Sequence, residues 1–111
     1  MIFGFGKPRH KELTANELDS LIREGKAKVV DVREVNEFHA GHIPGAINMP
    51  LSTFQASKLP HEEGKMLVLN CQGGVRSAKA LDKCAMAEQV VDTHLAGGMV
   101  AWARAGLPIE R

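Results

Sequence analysis

The run Met66-Leu67-Val68-Leu69 leads directly into Cys71-Gln72-Gly73-Gly74-Val75-Arg76-Ser77, and a helical apolar pattern follows at once. A strand of continuous apolar character is buried on both faces, and a strand buried on both faces is typically parallel to its neighbours. Parallel neighbours need crossover connections, usually helices, and those crossovers are right-handed. The rest of the chain supplies matching pieces. Lys28-Val29-Val30-Asp31-Val32 is a second β-branched strand, Ala46 to Asn48 a short third, and Gln89 to Leu95 a further one. Lys11 to Leu13 reads as a short edge strand. Between them lie helical segments. Thr14-Ala15-Asn16-Glu17 is a Thr-x-x-Glu capping box, followed by Leu18, Leu21 and Ile22 at i, i+3 and i+4 and closed by Gly25. Glu34 to Ala40 forms a brief helix stopped by Gly41, and Pro50-Leu51-Ser52 introduces another with Ser52 as its N-cap. A helix from Ser77 to about Glu88 carries Leu81, Cys84 and Ala85 on one face, and the last runs from Met99 to Ala105. Alternating strands and helices make this an α/β chain with a mainly parallel sheet. With 111 residues and no linker or repeat, it reads as one domain from 1 to 111, its core about 11–108 and residues 1–10 a flexible N-terminal segment.

Composition narrows the function classes. Lys plus Arg is 14 and Asp plus Glu 13, a formal charge of 14 − 13 = +1. A chain so nearly neutral lacks the basic excess of a nucleic-acid binder. No apolar stretch approaches the ~20 residues of a membrane span. The opening Met1-Ile2-Phe3-Gly4-Phe5 puts apolar residues ahead of basic ones, the reverse of a secretory signal, so the expected setting is cytoplasmic. Two cysteines, Cys71 and Cys84, are too few for a disulfide framework, and neither forms a C-x-x-C pair.

The loop at Cys71 carries the chemistry. It sits at the carboxyl end of the strongest strand, the edge where open α/β sheets bind ligands. Gly73 and Gly74 let the backbone curl with its N–H groups inward. The helix N-terminus behind them and the charge of Arg76 favour an anion. Such surroundings lower a cysteine pKa from ~8.5 into the range ~3.5–7.5. The site suits an anionic sulfur nucleophile, with Gln72, Gly73, Gly74, Val75 and Arg76 as its cradle. Ser77 has two readings: a hydrogen bond to the sulfur, or, preferred, the helix cap. Asp31 and Arg33, at the same sheet edge, are second-tier supports of the loop; a structural ion pair accounts for them more simply.

Three separated segments also resemble a known family. They are Asp31-Val32-Arg33-Glu34 through Glu37-Phe38 to Gly41-His42-Ile43-Pro44-Gly45-Ala46-Ile47-Asn48; the Cys71 to Ser77 loop; and Leu95-Ala96-Gly97-Gly98 with Trp102 and Gly106-Leu107-Pro108. In this order they resemble the single-domain rhodaneses, which are sulfurtransferases. The resemblance implies a five-stranded mainly parallel sheet with helices on both faces. It also implies that Cys71 takes sulfur from a small anionic donor such as thiosulfate, or from a persulfide or polysulfide, and passes it on from a persulfide. No metal or organic cofactor is implied, and the partners would be that donor and a sulfur-acceptor protein, with no nucleic acid and no membrane. The spacing Cys71-x4-Arg76 is one residue shorter than the Cys-x5-Arg loop of phosphatases and arsenate reductases that share the fold. The shorter arc suits a lone sulfur rather than a tetrahedral oxyanion. Those oxyanion enzymes, and a non-catalytic binding module, are the alternatives.

Other residues have plainer readings. His39 and His42 lack a third metal ligand, and His42 orders its turn. His10, His61 and His94 show no pattern. Cys84 is a small core residue, with resolution of an oxidised Cys71 as its functional alternative. Trp102 is packing, and Lys79 with Lys83 forms a solvated stripe.

Overall fold

A computed structural model describes residues 10–111, so the readings placed on Met1 to Phe5 lie outside the described residues. Five strands form one sheet: β1 (Lys11–Leu13), β2 (Ala27–Asp31), β3 (Ile47–Asn48), β4 (Met66–Asn70) and β5 (Thr93–Leu95). Their order is β1-β5-β4-β2-β3, and every pairing is parallel. Among the described residues the α-helices are α1 (Ala15–Arg23), α2 (Val35–Ala40), α3 (Val75–Met86) and α4 (Gly98–Arg104).

Side-chain alternation along the strands divides the core in two. Val30, Leu67 and Leu69 point to one face, where they meet Ala80, Leu81 and Cys84 of α3 together with Ala56 and Leu59. Val29, Val68 and Leu95 point to the other, against Ala15 and Leu18 of α1 and Met99 and Trp102 of α4. The sheet therefore carries helices on both faces, as the resemblance implied. Helix α1 starts where the capping box placed it. The Glu17 N–H donates to Thr14 Oγ1 at 3.1 Å, and the Thr14 N–H donates to Glu17 Oε1 at 2.8 Å. Such a cap contributes about 1 kcal/mol.

Several expected bounds shift. The segment after Pro50 forms no α-helix, only single 3-10 turns at Leu51–Thr53 and Ala56–Lys58. Ser52 is not an N-cap; its hydroxyl donates to Glu34 Oε1 at 2.8 Å and ties this turn to the start of α2. The last strand is only Thr93–Leu95, because Glu88 at φ 57 turns the chain out of α3 and delays the sheet. On α3 itself Ala85 is exposed, and Ser77 and Ala80 take inward positions instead. His10, expected within a flexible segment, is held by a 2.7 Å contact from Nε2 to Asp82 Oδ1. Trp102 is buried, with its indole N–H donating to the Pro108 carbonyl at 2.7 Å. His42 orders its turn through a 2.8 Å contact between Nδ1 and the Phe38 carbonyl, and stacks on the Phe38 ring. Among the described residues, no helix is long and apolar enough to cross a membrane.

Candidate active site

Central strand β4 ends at Asn70, and Cys71 follows with 1% of its surface exposed. The chain then curls through Gln72 and Gly73 to Gly74, whose φ of 106° opens α3. That backbone conformation strains any residue with a Cβ. The curl aims donors at one atom. The Gly74 N–H reaches Cys71 Sγ at 3.1 Å, the Ser77 N–H reaches it at 3.3 Å, and Ser77 Oγ lies 3.3 Å away. Burial pushes the Cys71 thiol up, but the Ser77 hydroxyl and the backbone N–H groups of Ser77, Gly74 and Gly73 outweigh it. The thiol is held below its ordinary range. A sulfur so placed is stabilised as an anion by hydrogen bonds that are already in position.

Ser77 is therefore not the helix cap. α3 begins two residues earlier, at Val75, with Gly74 as its N-cap, so Ser77 falls inside the first turn. There its hydroxyl faces the sulfur, the Gly74 carbonyl at 3.3 Å and His94 Nδ1 at 2.7 Å. The alternative reading of Ser77, a hydrogen bond to sulfur, is the one that matches this geometry.

Arg76 does not present a free charge to the loop. Its Nη1 donates to Glu37 Oε1 at 2.7 Å and its Nη2 to Glu37 Oε2 at 2.9 Å, a two-pronged pair. The Arg76 guanidinium holds the Glu37 carboxyl at about 2. A carboxyl lowered in the folded state stabilises the fold in full above its ordinary range, and that contribution shrinks as pH falls below that range until it is gone at about 2. The pair is thus intact at neutral pH. Glu37 was not singled out from the sequence, because pairing across 39 positions leaves no local signal.

Asp31 and Arg33 form the structural ion pair that was the simpler reading. Both are buried; Arg33 Nη2 donates to Asp31 Oδ2 at 2.8 Å and to the Gly41 carbonyl at 2.7 Å. Arg33 also touches the loop, with Nη1 3.4 Å from Gln72 Oε1. A cavity of about 460 Å³ opens beside the loop between α2 and α4, lined by residues including Arg33, Glu37, Gln72, Met99 and Arg104.

The other wall of the loop is α4. Its first amides hold the loop's carbonyls, Met99 N–H to Cys71 O at 2.9 Å and Val100 N–H to Gln72 O at 3.1 Å. Gly98, at φ 55, makes that approach possible: a Cβ there would lie 2.3 Å from Cys71 O. Cys84 shares the core cluster of Cys71, but burial pushes its thiol up to about 11, the state of an inert core thiol. Among the described residues, no three His, Cys, Asp or Glu side chains converge as metal ligands.

A parallel α/β sheet with a buried cysteine cradled by amides at the carboxyl end of its central strand defines a cysteine-loop protein of the α/β class. The sequence profile of the rhodanese-like domain matches residues 14–105. The chain belongs to the rhodanese-like domain family. It is 44% identical over 91 residues to the uncharacterized protein slr1261 of Synechocystis sp., a match covering 82% of this chain and 51% of the relative. It is 38% identical over 97 residues to the probable adenylyltransferase/sulfurtransferase MoeZ of Mycobacterium tuberculosis, covering 83% of this chain and 24% of MoeZ. The chain thus spans about half the length of the first of these relatives and a quarter of the second. Among solved structures, the rhodanese-like domain protein from Staphylococcus aureus is 33% identical with a TM-score of 0.73, covering 91% of this chain and 99% of that one.

Proposed function

We propose that residues 1–111 form one rhodanese-like unit acting in the cytoplasm as a sulfurtransferase, with Cys71 as the sulfur carrier. The observation that carries this reading is the convergence of the Gly74 N–H, the Ser77 N–H and the Ser77 hydroxyl on Cys71 Sγ at 3.1–3.3 Å. A small thiosulfate-like donor supplies the sulfur. The Cys71 thiolate attacks the outer sulfur of thiosulfate, the S–S bond of the donor breaks, and sulfite leaves with the electron pair. The terminal sulfur of the resulting persulfide is an anion, which the inward N–H groups of Gly73, Gly74 and Ser77 stabilise. A thiophilic acceptor, cyanide in an assay or a protein thiolate, then attacks that outer sulfur and Cys71 departs as thiolate. The scheme needs no metal or organic cofactor, because the persulfide is itself the carrier. Its likeness to part of a protein called an adenylyltransferase/sulfurtransferase supports the reaction class. The engagement of Arg76 by Glu37 weighs against oxyanion chemistry on this loop, since the loop's own guanidinium is already paired.

The test is intact mass of the reduced protein after incubation with thiosulfate, and again after cyanide. The expected result is a gain of one sulfur that cyanide removes. No gain with either thiosulfate or polysulfide overturns the reading and returns the oxyanion enzyme or a binding module.

The pair at the loop's rim supplies a second prediction. Glu37→Gln releases the Arg76 charge, so the KM for thiosulfate falls several-fold, and the gain shrinks as ionic strength rises. Steady-state kinetics at two salt concentrations measure both effects. A KM unchanged at low salt means that the Arg76 charge is not felt by the donor.

A further inference from the structure

His94 has no part in the scheme above, yet it is 3% exposed on β5 and lies directly behind the loop. Its Nδ1 sits 2.7 Å from Ser77 Oγ, and Ser77 Oγ sits 3.3 Å from Cys71 Sγ. On its other side, Nε2 lies 3.5 Å from Glu12 Oε2 of β1. The four side chains form one continuous line from the sulfur to a surface carboxylate, built from the loop after β4, α3, β5 and β1.

We propose that His94 is a positioning residue that takes the Cys71 thiol proton through Ser77, leaving a thiolate–imidazolium pair across the serine. The placement of the donors and acceptors permits such a coupling. Ser77 has one proton to donate. While Cys71 is a thiol, its S–H donates to Ser77 Oγ and the Ser77 O–H donates to a neutral Nδ1. In the coupled state, with Cys71 a thiolate, the Ser77 O–H turns to the sulfur and Nδ1 donates to Ser77 Oγ. The S–H bond breaks as an O–H bond forms on Ser77. The proton Ser77 held before passes to Nδ1, and no electron is exchanged. Nε2–H then faces Glu12, so every member of the line has a partner. When an acceptor releases Cys71 from its persulfide, the same arrangement holds the departing sulfur as thiolate.

The charged and titratable groups around His94 are few. Glu12 comes from β1, and His10, just before that strand, has its ring centroid 6.0 Å away. His10 is itself bound to Asp82 of α3, and Ser77 and Cys71 complete the surroundings. Burial and the neighbouring His10 hold the His94 ring below its ordinary range, with Glu12 only partly opposing them, so the resting ring is neutral and Nδ1 can serve as the acceptor that the geometry calls for. The inference rests on the reading of Cys71 as a reactive thiolate; its use in catalysis depends on the sulfurtransferase reading, but its test does not.

The test is the pH dependence of Cys71 alkylation by iodoacetamide, located by peptide mass, in wild type, His94→Asn, Ser77→Ala and the double variant. Asparagine keeps a hydrogen bond to Ser77 but cannot carry the proton. The expected profile of His94→Asn is displaced upward by about one pH unit, so that it alkylates about tenfold slower at pH 6 and equally fast at pH 9. In the Ser77→Ala background the His94 substitution has no further effect, because the line is already cut. Superimposable wild-type and His94→Asn profiles overturn the inference, and so does an equal slowing in both backgrounds. If His94→Asn does not fold, the ring titration of His94 by NMR in wild type, before and after Cys71 is alkylated, decides. The midpoint falls on alkylation if the two groups share a proton, and an unchanged midpoint overturns the inference. Loss of sulfur transfer with this coupling intact would refute the proposed function alone.

Discussion

Cys71→Ala abolishes sulfur loading, and the variant still folds, with stability lowered by about 1–3 kcal/mol. The two effects have different origins. Alanine offers no atom that can bond to sulfur, so the carrier is lost, and removing a catalytic nucleophile costs on the order of 10⁴–10⁶ in rate. The stability loss arises because Cys71 is buried rather than surface-facing, as a loop residue would be expected to be. Its sulfur accepts the N–H groups of Gly74 and Ser77, and alanine leaves the half-buried Gly74 donor and the buried Ser77 donor without that acceptor. Cys71→Ser separates the two effects. It restores an acceptor, and with it part of the stability, but its hydroxyl does not ionise near neutral pH and carries no sulfur. Urea unfolding read alongside the mass gain with thiosulfate checks both variants. A Cys71→Ala protein that still gains sulfur would remove the nucleophile from this residue.

The largest loss of stability is expected from a residue that touches no substrate. Gly98→Ala puts a Cβ 2.3 Å from the Cys71 carbonyl oxygen and 2.7 Å from the Gln72 carbonyl group. Neither can yield, because they are backbone and already accept the N–H groups of Met99 and Val100. The residue's φ of 55° adds the left-handed penalty of roughly 1–2 kcal/mol. We expect a loss of about 3 kcal/mol or more, and a Cys71 alkylation rate that rises as α4 is driven off the loop. Wild-type unfolding midpoint and alkylation rate together would show that α4 does not clamp the loop through this glycine. Gly73→Ala is the control: a Cβ there meets nothing within 4 Å, and its φ is not positive.

Much of the fold was legible along the chain because its determinants are local. The capping box at Thr14 and Glu17 closes within three residues, and the apolar run of β4 reports burial on both faces without reference to any partner. The helix expected after Pro50 failed because Leu51 and Phe54 only partly cover the sheet edge, and Ser52 is drawn to Glu34 instead. The missing Gln89 to Asp92 strand follows from Glu88, which reverses the chain before the sheet is reached.

The cysteine loop divides in the same way. That Cys71 sits on an amide-rich turn between strand and helix follows from residue order alone, since two glycines, a strand end and a helix start are neighbours in sequence. What the loop's side chains do was decided only when distant elements closed around it. Ser77 faces sulfur because α3 begins at Val75, and Arg76 is neutralised because α2 brings Glu37 to it. His94 joins the line because parallel pairing sets β5 beside β4, in register with Leu69. Each of these contacts joins residues remote in sequence, or depends on where a helix starts. Local pattern carries no record of them, because charge pairing and hydrogen bonding depend on distance in space.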